Sequence, residues 1–276
     1  MMKREYLNEN VYEALQRRLK FLFEEFDNIF VSFSGGKDSG LLLNLVLDFQ
    51  KAHYPDKRIG VFHQDFEAQY SATTEYVERT FARIADPIRI EKDVEPYWVC
   101  LPMATRTALS SYEMYWYPWD NTKEDAWVRP MPQHEYVINI KNNPMTTYRY
   151  RMHQEDLAKQ FGRWYRIAHG DKKTVCLLGI RADESLQRYS GFLNRKYGYK
   201  ETCWISNQFK NVWVASPIYD WSTSDVWHAN YTFQYDYNRL YDLYYMAGLK
   251  PDQMRVASPF NDYAKDSLNL YRVIDP

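Results

Sequence analysis

The feature that most constrains this chain is a short glycine turn between two apolar segments. Residues 29–34 have the sequence IFVSFS, and the turn GGKDSG then leads into LLLNLVLDF. The first segment is rich in β-formers and predicts a buried strand. The second is apolar on nearly every side, which predicts a helix buried against a parallel sheet. The chain therefore contains a strand–turn–helix unit that lies inside the molecule.

The same alternation continues along the chain. Further strands are predicted at 58–64, 87–92, 174–180 and 211–216. Helices are predicted at 7–26 (capped by Asn8 or Asn10), at 71–85, after 183–185, and from 222 to 229, where STSD resembles a capping box. Strands separated by helices predict an α/β fold, doubly wound and Rossmann-like, with a mainly parallel sheet of about five strands.

Between residues 96 and 147 this alternation stops. The segment is rich in aromatic residues, including Trp98, Trp116, Trp119 and Trp127. It is too apolar for a disordered linker, so we expect a folded subregion inserted over the carboxyl edge of the sheet, within a single domain that spans 1–276. A linker between two domains is the alternative.

Charge and cysteine content exclude several classes of protein. The chain has 276 residues, with 35 Lys and Arg against 36 Asp and Glu, so no global positive field exists to hold nucleic acid. Its 3 cysteines form no CxxC pair, which excludes a disulfide scaffold and gives no zinc or iron–sulfur spacing. No apolar run approaches the roughly 20 residues of a membrane span, and the N-terminal residues lack a signal-peptide core. We expect a cytoplasmic protein.

The glycine turn has the chemistry of an anion site. Paired glycines let the backbone approach a ligand closely, and the amides at the start of the helix point toward an anion. Serine hydroxyls add donors, Lys37 adds a positive charge, and Asp38 is placed to hold Mg²⁺ or to cap the turn. The turn is neither a Walker A loop, because Leu41 follows Gly40, nor a GxGxxG fingerprint.

Instead, 34–39 resembles the PP-loop, Ser-Gly-Gly-x-Asp-Ser, of the adenine-nucleotide α-hydrolase superfamily. The turn 63–67 (HQDFE) resembles the acidic turn after the second strand of 3′-phosphoadenosine-5′-phosphosulfate (PAPS) reductases. Segments 179–185, 217–227 and 237–242 resemble further motifs of that family. The resemblance covers about 25–95 and 170–260 and leaves out the aromatic-rich subregion.

The resemblance implies a nucleotide-binding enzyme that acts at the α-phosphate of ATP or of a PAPS-like nucleotide, as a pyrophosphatase or an adenylating enzyme, with Mg²⁺ as a second cofactor. The implied nucleotide-binding residues are Ser34, Gly35, Gly36, Lys37, Asp38, Ser39, His63, Asp65, Gly179 and Arg181. The implied catalytic residues are Lys37, Asp38 and Arg181. The candidate Mg²⁺ ligands are Asp38 and Asp65.

The C-terminal residues depart from the assimilatory PAPS reductases, because SLNLYRVIDP has no cysteine to attack sulfur. Two alternatives follow: a thiol-dependent PAPS reductase that uses Cys100, Cys203 or an external thiol, and a regulatory subunit that binds nucleotide without turnover. Residues 253–260 (QMRVASPF) resemble PAPS-reductase-like prophage co-activators. That resemblance implies a ParB/sulfiredoxin-like protein partner.

One basic stretch is interleaved with aromatic residues. It contains Arg149, Arg151, Arg163, Arg166, Lys172 and Lys173 together with Tyr148, Tyr150, Trp164 and Tyr165. Charge combined with stacking suits nucleic acid or a phosphorylated substrate. A solvated helix face is the alternative, and nucleic acid therefore stays an open partner.

Overall fold

The computed structural model describes residues 7–86, 94–194, 198–251, 253–261, 264 and 267–275. The predicted strand at 87–92 lies outside these residues. The strands are β1 (Asn28–Ser32), β2 (Ile59–Gln64), β3 (Val94–Val99), β4 (Met103–Arg106), β5 (Tyr115–Trp116), β6 (Val137–Ile138), β7 (Met152–His153), β8 (Thr174–Leu178), β9 (Ile205–Phe209) and β10 (Val212–Ala215).

The helices cover both faces of the main sheet. They are α1 (Val11–Glu25), α2 (Lys37–His53), α3 (Ser71–Ile84), α4 (Gln154–Ala168), α5 (Leu186–Leu193), α6 (Thr223–Thr232), α7 (Leu240–Met246) and α8 (Tyr271–Ile274). Two caps agree with the sequence. Asn10 and Glu13 form a capping box at α1, and Ser222 and Asp225 form one at α6. None of the helices in the described residues is long and apolar enough to cross a membrane.

The described strands form a main sheet of 7 strands in the order β6-β3-β2-β1-β8-β10-β9. All neighbours in it are parallel except β9, which pairs antiparallel with β10. The strand β1 lies between β2 and β8, so the chain leaves it on one side and returns on the other. This arrangement is the topological switch point at which α/β sheets bind their ligands.

The predicted α/β class and the mainly parallel sheet are confirmed, but the sheet has more strands than the expected five. Both β3 and β6 come largely from the aromatic-rich segment, and β9 forms a hairpin with β10. Part of the expected insertion is thus built into the main sheet. The rest includes β4 and β5, which form a second sheet of 3 strands with β7.

Successive side chains of β1 point to opposite faces of the sheet, and the core is therefore divided into two layers. Ile29 and Val31 face the larger cluster, formed with α1, α2 and α3, while Phe30 faces the smaller cluster around α4. In the smaller cluster Phe161 of α4 stacks on Phe62, with ring centroids 4.2 Å apart. Successive side chains of a strand point to opposite faces, and both faces of this strand are therefore covered.

The Phe161 contact predicts a large loss of stability on truncation. We expect Phe161→Ala to lower the free energy of unfolding by about 3–5 kcal/mol, because it removes a fully buried ring and leaves a cavity. Tyr231→Ala, at a side chain that is 78% exposed, is the control and should change it by no more than about 0.5 kcal/mol. Urea unfolding followed by circular dichroism measures both, and equal midpoints would contradict the assignment of Phe161 to the core.

Candidate functional site

Gly35 gives the loop after β1 its sharp turn. Its φ is +78°, in the left-handed region that favours glycine. A Cβ at this position would lie 3.1 Å from Val77 Cγ2 and 3.2 Å from Thr73 Cγ2 of α3. The backbone therefore approaches α3 at a place where a side chain would be both strained and crowded.

Two serine side chains hold the loop in shape. The Ser34 N–H donates to Ser39 Oγ over 3.1 Å, and the two hydroxyl oxygens lie 3.0 Å apart. Gly36 is the N-cap of α2 and has no side-chain cap hydrogen bond. The first-turn amides of a helix have no intrahelical acceptor, so this end of α2 can bind an external anion.

The segment before α7 fixes the loop from the other side. The Asn238 side-chain amide donates to Gly35 O and to Thr73 Oγ1, each over 2.9 Å. The Lys37 N–H donates to Tyr241 Oη over 3.1 Å. The sequence alone gives these two residues no role, since their motif carries only a family resemblance. They prove to be the supports of the glycine turn.

Gly179 brings the end of β8 against the start of α2. A Cβ on Gly179 would lie 2.8 Å from the backbone of both Asp38 and Ser39. The two main chains are therefore in direct contact. The structure thus brings Gly179 together with the loop, as the sequence predicts.

Lys37, Asp38 and Arg181 form one chain of charges. Lys37 Nζ lies 2.9 Å from Asp38 Oδ2, and Arg181 Nε lies 2.6 Å from Asp38 Oδ1. Arg181 is 1% exposed and also donates to Trp221 O and Thr223 Oγ1. The guanidinium is thus held inside the protein by Asp38 and its neighbours. Direct contact of Arg181 with a phosphate stays a prediction.

His63 is a core residue of the sheet. Its ring is 1% exposed, and Nδ1 lies 2.8 Å from Phe33 O. Burial lowers the pKa of His63, and it therefore stays neutral at physiological pH. Aromatic rings of Phe33, Phe81 and Trp98 surround it. A contact between His63 and a nucleotide stays a prediction. Because the ring is buried, we expect such a contact to be made by the backbone of His63 and not by its side chain.

Asp65 is fully buried and forms an ion pair with Arg129. Arg129 Nη2 is 2.6 and 2.7 Å from the two carboxylate oxygens, and Trp98 Nε1 and the Glu67 N–H donate to the same carboxylate. Burial alone would raise the pKa of Asp65, but the nearby Arg129 outweighs it, and the net shift is downward. Asp65 is therefore an ionised anchor in the interior.

Glu67 links the turn after β2 to the aromatic-rich segment. Its φ is +61°, and its carboxylate accepts the backbone N–H groups of Trp119 and Val128 over 2.6 and 2.9 Å. Arg129 Nε donates to Glu67 O over 2.9 Å. The acidic turn after β2 thus ties residues 119–129 to the sheet edge. Glu67 belongs to the predicted acidic turn but had no assigned role, and Arg129 was not singled out, because no local pattern links positions so far apart.

The predicted Mg²⁺ ligands Asp38 and Asp65 are both engaged with donors of the protein. Within the described ranges no group of three or more His, Cys, Asp or Glu side chains could hold a metal. Asp38 lies between two cationic side chains, and both Asp65 oxygens accept from protein donors. With these partners in place, the donor set does not fit Mg²⁺ held by the protein.

Two of the cysteines are poor nucleophiles in this fold. Cys100 and Cys176 are buried, and burial raises the pKa of each thiol. A buried thiol in apolar surroundings is inert, because the reactive species is the thiolate. Cys203 is half-buried at the margin of the larger core cluster. The geometry therefore gives no support to a thiol-dependent reaction at Cys100.

Comparison with known families bears on these motifs. Residues 124–247 match the phosphoadenosine phosphosulfate reductase domain. The matched residues are similar to that domain and make up less than half of the chain. The resemblance to PAPS reductases is thereby confirmed. The match contains the Arg181 segment, and the loop at 34–39 lies outside it. Residues 248–276 match a separate family, the domain of unknown function DUF3440.

A curated relative matches nearly the whole chain. The uncharacterized protein YbdN of Escherichia coli (strain K12) is 34% identical over 272 residues, which cover 97% of this chain and 63% of that protein. The chain thus spans less than two thirds of that relative.

Solved structures give a more distant likeness. PAPS reductase from Candida auris matches with a TM-score of 0.44 at 13% identity, over 93% of this chain and 98% of that one. The FMN adenylyltransferase of Candida glabrata matches with a TM-score of 0.45 at 13% identity, over 87% of this chain and 62% of that one.

The Asp65–Arg129 pair predicts a stability effect that depends on pH. We expect Arg129→Met to lower the free energy of unfolding by about 3–5 kcal/mol at neutral pH, because it leaves a buried carboxylate without its cation. The folded-state pKa of Asp65 is lowered, so the pair stabilises the fold above pH about 4 and loses this effect as the pH falls through the folded pKa. The cost of the substitution should therefore shrink in acid.

Chemical unfolding over a pH series measures this effect. Adding Asp65→Asn to Arg129→Met should recover much of the lost stability. Arg79→Met breaks an exposed pair with Asp236 and should cost at most about 1 kcal/mol. An Arg129→Met cost equal to that of Arg79→Met would show that the buried pair is not an anchor.

Proposed function

We propose that this chain binds an adenine nucleotide over the 34–39 loop and cleaves it between the α- and β-phosphates. One observation carries the proposal: the start of α2, whose N-cap Gly36 has no side chain to bond the first-turn amides, lies with Lys37 at the carboxyl end of the central strand β1. Amides and the positive end of the helix dipole bind phosphate at such a position. The match to the PAPS reductase domain supports an adenine nucleotide as the source of that phosphate.

The loop is organised before a ligand arrives. The Asn238 side chain bonds the Gly35 carbonyl oxygen, and the hydroxyl groups of Ser34 and Ser39 bond each other across the loop. Donors that are already in position need no reorganisation when charge develops, and so they contribute most in the transition state. The pyrophosphate portion of the nucleotide is therefore assigned to this loop.

The reaction is a displacement at the α-phosphorus. An oxygen of water or of an acceptor substrate forms the new bond to phosphorus. The bond from phosphorus to the bridging oxygen breaks, and pyrophosphate leaves with the electron pair. The products are AMP, or an adenylated acceptor, and pyrophosphate. The role of Lys37 is to stabilise the negative charge that grows on the departing oxygens.

Asp38 and Arg181 position that lysine. Asp38 holds Lys37 Nζ at 2.9 Å, and Arg181 fixes the opposite oxygen of the same carboxylate. Lys37 is 9% exposed, whereas Arg181 is enclosed by Trp221 and Thr223. Lys37 is therefore the cation that can turn toward a phosphate, and Arg181 acts through Asp38.

The Lys37 assignment predicts a loss of turnover. Incubation with ATP and Mg²⁺ should release AMP and pyrophosphate, and Lys37→Ala should reduce kcat by about 100- to 1,000-fold, the usual effect of losing one such donor. Lys51→Ala, an exposed lysine near the far end of α2, should keep the full rate. Chromatography of the nucleotides measures both. Equal rates for Lys37→Ala and Lys51→Ala would remove the catalytic assignment.

The Gly35 geometry predicts a loss of binding. Gly35→Ala places a Cβ against Val77 and Thr73 in a left-handed conformation, which costs about 1–2 kcal/mol, and we expect a roughly 10-fold weaker affinity for ATP by calorimetry. Gly170→Ala, at another left-handed glycine with only Lys172 side-chain atoms nearby, is the control. Equal affinities in the two variants would place the nucleotide elsewhere.

The same samples test the alternatives. Tight ATP binding with no AMP release would favour the nucleotide-sensing subunit over the enzyme. Sulfite release from PAPS in the presence of an external thiol would instead favour sulfonucleotide reduction.

A further inference from the structure

A second concave site lies away from the glycine loop, along the start of α4. This cavity has a volume of 890 Å³ and is lined by the 146–153 loop, by α4 and by the end of β9. We call it the α4 groove. The side chains used below are Tyr148, Arg149, Tyr150, Lys159, Gln160 and Arg163.

Two arginines give the groove an uncompensated positive charge. Arg149 and Arg163 are exposed, and the described residues show no acidic partner for either. Lys159 also lines the groove, but Asp156 balances it at 3.1 Å. Since the whole chain has a net charge of −1, this local excess is not part of a general basic surface.

The aromatic rings beside these arginines are fixed at their polar ends. The Tyr150 hydroxyl donates to Asp120 Oδ1 over 2.6 Å, while 43% of the residue stays exposed. The Tyr148 hydroxyl donates to Pro102 O over 2.7 Å. A ring held in this way loses little conformational entropy when a flat group stacks on it.

An unpartnered oxygen also lies in the lining. Gln160 Oε1 is buried and accepts no hydrogen bond from the described residues. Buried polar atoms of side chains nearly always have a partner. Because this oxygen is out of contact with solvent, an amino group of a ligand would reach it only after the Gln160 side chain turns toward the groove.

We propose that the α4 groove binds a single-stranded segment of nucleic acid. Guanidinium groups contact its phosphates, and the tyrosine rings stack on its bases. A single strand is favoured over a duplex because stacking requires unpaired base faces. This binding is independent of the reaction proposed at the glycine loop, since no groove residue belongs to that loop.

Fluorescence anisotropy of the intact chain with a labelled oligonucleotide of about 12 nucleotides tests the proposal. Single-stranded DNA and RNA are compared with a duplex of the same sequence, without ATP. We expect tighter binding of a single strand, with a log–log salt slope of about −1.4 for two phosphate contacts. Whichever of DNA and RNA binds more tightly identifies the source of the strand. Preferential binding of the duplex, or no binding at low salt, would overturn the proposal.

Matched variants locate the site. Arg149→Gln with Arg163→Gln should weaken binding by roughly 10-fold and flatten the salt slope. The control, Lys20→Gln with Lys51→Gln, removes the same charge from exposed positions on α1 and α2 and should leave both quantities unchanged. Equal effects of the two pairs would show attraction to charge alone and would contradict a built groove.

Tyr150 separates stacking from charge. Tyr150→Ala should weaken binding by roughly 5- to 150-fold, the range for one stacked base, whereas Tyr150→Phe keeps the ring, loses only the hydrogen bond that fixes it, and should weaken binding much less. Equal binding by all three proteins would exclude stacking. Full displacement of the oligonucleotide by tripolyphosphate at equal phosphate concentration would show a site for phosphate groups only, and it would also overturn the proposal.

Discussion

The contact between the end of β8 and the start of α2 is the constraint on which the site depends. Gly179 brings two main chains so close that a Cβ would lie 2.8 Å from the Asp38 carbonyl carbon. Because β1 and β8 are parallel neighbours, their carboxyl ends meet at one edge, and Arg181 follows Gly179 closely enough to reach Asp38. The parallel pairing thus converts two distant sequence motifs into one cluster of charges.

Two charge clusters lie at the same edge of the sheet. One is suited to ligand binding, and the other stabilises the fold. At the glycine loop, Asp38 joins the buried Arg181 to Lys37, and Lys37 is the cation that contacts phosphate in the proposed function. After β2, Asp65 is fully buried and has its donors within the protein. Displacing them would uncover a charge inside the core, which is costly. The first cluster is therefore suited to binding, and the second to holding the fold.

Sequence patterning predicts those parts of the fold that have a local signal. The strands β1, β2, β8 and β10 are short apolar runs between turns, and the start of α2 follows from its glycines. The strand β3 lacks such a signal, since VEPYWV contains a proline and a glutamate, residues that are depleted in strands. Its place in the sheet comes from pairing with β2, a tertiary effect.

In the site as well, only the residues with a local sequence signal are predicted. The loop residues 34–39 are contiguous and could be assigned by their chemistry, whereas the supports of the loop come from distant segments. Asn238 reaches Gly35 across 203 positions, and Arg129 reaches Asp65 across 64. No periodicity connects such pairs. A hydrogen-bonding side chain in a polar segment looks the same whether it faces water or a buried turn.

The sequence of the basic stretch does not tell which of its charged side chains are free to contact a ligand. Arg151 and Arg166 are paired with Asp120 and Asp171. The aromatic residues of α4 face inward, where Tyr165 packs on Phe30. The groove instead takes its rings from the loop before α4 and its free guanidinium groups from both segments. Interleaving of charge and aromatic residues thus predicts the chemistry of this surface, but the turn at 146–153 decides which of these side chains a ligand can contact.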